Sequence, residues 1–122
     1  IRALAGLRGA APDVLGRMRK FEGVVPELTR ELAGLVEGLR GQGIDPGRVE
    51  LDLGFGRGIG FYSQMVFVLM AGNVEVCGGG RYDGLARALG SPRDVGGVGF
   101  AFGLERLRDI LDARGPSGGA RR

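Results

Sequence analysis

The amino-acid sequence predicts an α+β domain: an antiparallel sheet flanked by helices. Three observations carry this. Residues 26–42 repeat apolar side chains at helical spacing, residues 49–53 alternate at strand spacing, and further strands are expected at 61–70, 74–77 and 98–103. Strands joined by short connections pair antiparallel, because a parallel pair needs a long crossover. Helices gathered before and after a run of strands mark α+β, not a doubly wound parallel sheet.

Residues 1–11 are expected to finish one helix and turn at 9–11. Pro12 suits the first position of the next helix, where its missing N–H has no partner to lose. Val14, Leu15, Met18 and Phe21 form that helix's apolar side, and Gly23 ends it. In 26–42, Leu28, Leu32, Leu35, Val36 and Leu39 make one stripe, with Glu27, Glu31 and Arg40 largely outside it. The acids near the start and the base near the end suit the helix dipole. After Asp45-Pro46-Gly47, Val49, Leu51 and Leu53 alternate with Glu50 and Asp52, as in a half-buried strand. Gly72-Asn73 is a turn between two strands. Residues 82–89 read as a short helix or helical turn and 91–97 as a loop. Residues 104–113 read as a closing helix with Leu104, Leu107, Ile110 and Leu111 inward. The organisation expected is one domain over 1–113, with a helical part at 1–44, a strand-rich ligand platform at 48–113 and a flexible tail at 114–122.

Composition excludes several classes of function. With 122 residues, 43% of them hydrophobic, the chain has material for one modest core. Its longest apolar run, 65–71, is far too short to span a bilayer. The chain starts at Ile1 and shows no signal peptide, so a piece of a longer cytoplasmic protein is expected. The net charge of +3 is not a nucleic-acid footprint. Arg114, Arg121 and Arg122 supply all of it, and the residues before them are neutral. Lys20 is the only lysine among 17 basic residues, and arginine is the side chain for forked contacts with phosphate and carboxylate. The chain has no His, which removes histidine-based triads and general bases. Its single cysteine, Cys77, has no partner for a disulfide and is expected as a small buried strand residue.

Three glycine-rich motifs remain. At 77–85 the chain reads C-G-G-G-R-Y-D-G-L. Three glycines weaken a strand, so either something approaches the backbone closely or the run is a hairpin end or bulge. Gly78, Gly79 and Gly80 are candidates for close approach, with Arg81 and Tyr82 at the pocket edge. At 53–62, L-G-F-G-R-G-I-G-F-Y is not a dinucleotide fingerprint, because Ile59 stands where the third glycine belongs. It offers Arg57, between two glycines, either to an anion or as a surface arginine. At 97–107, G-V-G-F-A-F-G-L-E-R-L puts Val98, Phe100 and Phe102 on one strand face, expected as core. Gly97, Gly99, Ala101 and Gly103 leave bare backbone on the other face, which accepts a flat ring or another backbone. Arg106 follows, either as a phosphate contact or as an exposed side chain.

Together, R-G-I-G-F-Y, G-G-G-R-Y-D-G-L and G-V-G-F-A-F-G-L-E-R-L resemble the two histidine-recognition motifs and motif 3 of histidyl-tRNA synthetases. The resemblance covers about 49–111, in the family's order. It implies the C-terminal half of a class II aminoacyl-tRNA synthetase catalytic core. The same core occurs in the histidine-sensing regulatory subunit of ATP phosphoribosyltransferase, a non-catalytic paralogue. By resemblance, Arg57 stands near the α-phosphate and carboxylate during adenylate formation. Tyr62 and Tyr82 line the amino-acid pocket with Arg81, and Gly78, Gly79 and Gly80 allow close approach. Gly103 and Arg106 bind ATP, with Arg106 on the γ-phosphate. Histidine, ATP and Mg²⁺ are the implied ligands, with tRNA a partner only of a full-length protein. Open sheet edges leave a homo-oligomer in view. The chain departs from the family at Gly60, usually acidic, at Phe61, usually tyrosine, at Gln64, usually glycine, and at Val68, usually glutamate. Nothing in the chain resembles motif 1, motif 2 or the anticodon-binding domain, so the isolated chain is not expected to charge tRNA.

Overall fold

The computed structural model describes residues 2–56, 60 and 62–115. It divides into two compact units, 1–55 and 56–122.

The first unit contains α1 (Arg2–Ala5), β1 (Arg8–Ala10), α2 (Ala11–Met18), a 3-10 turn (Arg19–Phe21), α3 (Pro26–Gly41), a second 3-10 turn (Pro46–Arg48) and β2 (Glu50–Asp52). Pro12 lies in the first turn of α2 and Pro26 in that of α3. Leu4, Leu7, Ala11, Val14, Met18, Val36 and Leu51 form the buried core, with Leu32 and Phe21 packed against it. The predicted stripes of α2 and α3 therefore meet. Leu28, at the N-terminal end of the α3 stripe, is exposed.

Two expectations change here. Residues 8–10 form a strand, not a turn, and pair antiparallel with β2, Gly9 opposite Leu51. Three residues centred on a glycine at φ 141° carry no alternation to read. β2, expected as part of the ligand platform, thus belongs to this two-stranded sheet.

The second unit contains β3 (Val66–Ala71), β4 (Val74–Arg81), α4 (Leu85–Ala88), β5 (Val98–Phe102) and α5 (Leu104–Ala113). Its sheet runs β3-β4-β5, antiparallel throughout. Gly72, at φ 60°, makes the tight β3–β4 turn. Cys77 is buried in β4, as expected. β4 continues through Gly78, Gly79 and Gly80 to Arg81 because it is paired on both sides, with Val66 and Phe67 on β3 and with Gly99 and Phe100 on β5. Ladder pairing outweighs the poor strand propensity of glycine.

The apolar row of β5 does not form a core. Val98, Phe100 and Phe102 are 65%, 67% and 46% exposed. On α5, Leu104 and Leu111 are 72% and 63% exposed, while Leu107 and Ile110 are half-buried. Three strands and one ten-residue helix offer too little surface to cover both faces. Among the described residues, no helix is long and apolar enough to cross a membrane.

Candidate functional site

The geometry of the candidate face follows from the β4–β5 register. Gly80 is opposite Gly99 and Gly78 opposite Ala101, so these four positions share a face. A Cβ on Gly80 would lie 2.7 Å from the Tyr62 ring. A Cβ on Gly99 would lie 2.7 Å from the Tyr82 hydroxyl oxygen, and one on Gly97 would lie 2.2 Å from Tyr82 Cε2. Both tyrosine rings therefore lie on one glycine-paved face. The flat rings that the bare backbone accepts belong to the chain itself.

Further along the same face, Gly103 closes on the stem of Arg106, its Cβ position 3.2 Å from Arg106 Cδ. Arg106 donates from Nη1 to the Glu75 carbonyl at 2.9 Å, which fixes the guanidinium beside β4. A recess of about 360 Å³ opens here, lined by Glu75, Gly78, Ala101, Gly103, Glu105 and Arg106 among others. From Gly99 to Gly103 is four residues of extended chain, about 13 Å. The tyrosines thus stand over one end of the face and the arginine over the other.

The remaining expected residues are placed differently. Arg57 lies outside the described residues. Gly79 alternates to the opposite face, where a Cβ would lie 2.3 Å from the Gly99 carbonyl oxygen. It is required by the neighbouring strand. Arg81 also alternates away from the tyrosine face, and its Nε donates to both oxygens of Asp83 at 2.9 and 3.0 Å. That hydrogen bond is the main reason the Asp83 carboxyl sits below its ordinary range. Burial pushes it the other way, and Ser63 and the Arg81 charge lower it further. Ser63, Glu75, Asp83 and Glu105 were not among the expected site residues. Asp83 stands inside the R-Y-D triplet, and Ser63 carried no signal in the sequence. Among the described residues, no three His, Cys, Asp or Glu side chains group to hold a metal ion.

The antiparallel sheet and its helices are part of a class II aminoacyl-tRNA synthetase catalytic core. The family model of histidyl-tRNA synthetase matches residues 1–107, and the chain belongs to that family. It is 38% identical to the histidine–tRNA ligase of Acetivibrio thermocellus over 98 residues, 77% of this chain and 22% of that protein. It is 36% identical to the ligase of Chlorobium phaeovibrioides over 117 residues, 93% of this chain and 25% of that protein. For Chlorobium luteolum the identity is 33% over 120 residues, 94% and 27% of the two chains. The chain thus spans about a quarter of the length of these curated relatives.

Proposed function

We propose that this chain supplies the histidine- and ATP-facing part of a histidyl-tRNA synthetase core, the part that holds substrates for adenylate formation. The observation that carries this is the shared face: Tyr62 and Tyr82 over Gly80, Gly97 and Gly99, with Arg106 along the same face beside Gly103.

In the reaction, an oxygen of the histidine carboxylate attacks the α-phosphorus of ATP. The bond from that phosphorus to the bridging oxygen breaks, and pyrophosphate leaves with the electron pair. No proton passes to the protein, which suits a chain without histidine. What such a step needs is orientation and positive charge where negative charge crowds. Tyr62 and Tyr82 line the imidazole pocket. Arg57 is assigned by resemblance to the α-phosphate. Arg106 uses one N–H on the Glu75 carbonyl, and its other guanidinium donors serve the terminal phosphate. Glu75 and Glu105 also line the recess, so a bare polyphosphate would meet two carboxylates there. ATP arriving as its magnesium complex fits better, since Mg²⁺ is commonly held by phosphates and one or two carboxylates.

Calorimetric titration of the 122-residue chain with histidine, MgATP and a non-hydrolysable histidyl-adenylate analogue tests this reading. The analogue is expected to bind tightest, because it engages both ends of the face. Arg106→Ala is expected to weaken MgATP about tenfold, the loss of one charged hydrogen bond of about 1.5 kcal/mol, and to leave histidine binding unchanged. Binding of histidine with none of ATP or the analogue would favour a histidine sensor over a ligase part. No binding of any of the three would overturn the proposal.

A further inference from the structure

The two tyrosines sit on backbone that a compact set of contacts ties together. Ser63 N donates to the Arg81 carbonyl at 3.0 Å, and Arg81 N donates to the Met65 carbonyl at 2.9 Å. Side chains close the same joint. Asp83 N donates to Ser63 Oγ at 2.9 Å, and Ser63 Oγ donates back to Asp83 Oδ2 at 3.2 Å. The Asp83 carboxylate also receives Arg81 Nε. On a further side Gly96 presses in, its Cβ position only 2.6 Å from Asp83 Oδ1. Tyr82 lies between two members of this set and Tyr62 directly precedes the third. Tyr82 is held once more by a reciprocal backbone pair with Gly97, at 2.8 and 3.2 Å.

The chemistry of each member is specific. Only a hydroxyl both accepts from Asp83 N and donates to its carboxylate, so threonine can replace Ser63 and alanine cannot. A carboxylate accepts from the guanidinium and from the hydroxyl at once. The set is largely exposed, where such a pair adds little to stability. What it fixes is the position of the backbone on both sides of Tyr82 and immediately after Tyr62.

We infer that Ser63, Arg81 and Asp83 form a latch that positions the Tyr62 and Tyr82 rings over the glycine-paved face. Ser63 and Asp83 are positioning residues, and Arg81 serves the latch instead of the ligand. The inference takes its meaning from the reading of that face as the amino-acid pocket.

The chain has two tyrosines and no tryptophan, so ring-labelled tyrosine reports on Tyr62 and Tyr82 alone. NMR spectra of the ligand-free 122-residue chain carry the test. Ser63→Ala, Arg81→Ala and Asp83→Asn are each expected to move both ring signals beyond their line width. Ser63→Thr is expected to restore the wild-type positions. Arg87→Ala, which breaks the exposed Arg87–Asp94 pair, is expected to leave them in place. Ring signals unmoved in Arg81→Ala, or displaced in Ser63→Thr, overturn the latch. These two replacements are at exposed positions and decide the matter even if Ser63→Ala or Asp83→Asn does not fold. Histidine is then added to the wild-type chain. Ring signals that ignore histidine count against the pocket reading, whereas the ligand-free series decides the latch.

Discussion

Glycine is the residue through which this chain builds its candidate face, and the glycines do different work. Gly97 and Gly99 make room for the Tyr82 ring, a side chain with some freedom to move, whereas a Cβ on Gly80 would meet the Met65 carbonyl oxygen at 2.6 Å as well as the Tyr62 ring. Gly79 makes room for the carbonyl of Gly99 at 2.3 Å from its Cβ position, and backbone in a paired strand cannot withdraw. Gly79→Ala is therefore expected to cost about 1–3 kcal/mol by overpacking, read as a lower denaturant midpoint. Gly99→Ala is expected to cost less in stability and to displace Tyr82, read in the ring spectrum. Equal losses of stability would contradict this division. Asp83 gives a second prediction. Its pKa is lower folded than unfolded, so the folded state binds fewer protons. The contribution is present above the ordinary aspartate range and disappears as pH falls through the folded value. The stability gap between wild type and Asp83→Asn is thus expected near neutrality and to close in acid. A gap independent of pH would show that the Arg81 contact does not set the charge state of Asp83.

Among the elements, burial separates helices of similar sequence pattern. Met18 on α2 is fully buried. Met18→Ala is expected to destabilise the chain by about 2–5 kcal/mol, the transfer and cavity cost of a core methionine. Leu111 on α5 belongs to an equally periodic stripe but is exposed, so Leu111→Ala is expected to stay within about 0.5 kcal/mol. Urea unfolding of both variants checks the contrast. This difference also marks what the sequence can express. α3 and α5 were legible because period and prolines or glycines agreed at their ends, and α5 runs over Leu104–Ala113 as expected. Periodicity, however, names an apolar face without naming what covers it, so Val98, Phe100 and Leu104 read as core and are exposed. β1 was illegible because its identity lies in its partner, β2, 42 residues away at Arg8 and Glu50. The start of α4 was misread for a related reason. The Tyr82 carbonyl accepts from Gly97 N instead of from an N–H four residues on, so the first helical bond runs from Ala88 N to the Gly84 carbonyl and the helix starts at Leu85. Of the candidate face, Tyr62, Tyr82, Gly80, Gly103 and Arg106 can be named from the motifs, whereas the motifs do not show that Gly79 and Arg81 alternate to the other side. Ser63 was not legible, because its role depends on a contact with Asp83 twenty positions on.

At the scale of the whole molecule, the candidate face lies in the second unit, and the chain is a small share of a synthetase's length. It covers 22–27% of the length of the three relatives named above. Adenylate formation requires two substrates held in line, and such positioning is worth about 7–11 kcal/mol of barrier. The described face has a cation at one end, Arg106, anchored on the Glu75 carbonyl. On the proposed reading Arg106 grips the terminal phosphate, whereas in-line attack needs the α-phosphate and the histidine carboxylate fixed as well. Binding energy spent on one face alone lowers the free energy of bound ATP and leaves the barrier to attack largely intact. The purified chain is therefore expected to bind the adenylate analogue yet to show no histidine-dependent exchange of labelled pyrophosphate into ATP. Exchange above the level of a control without histidine would mean that the glycine-paved face holds both reactants in line by itself.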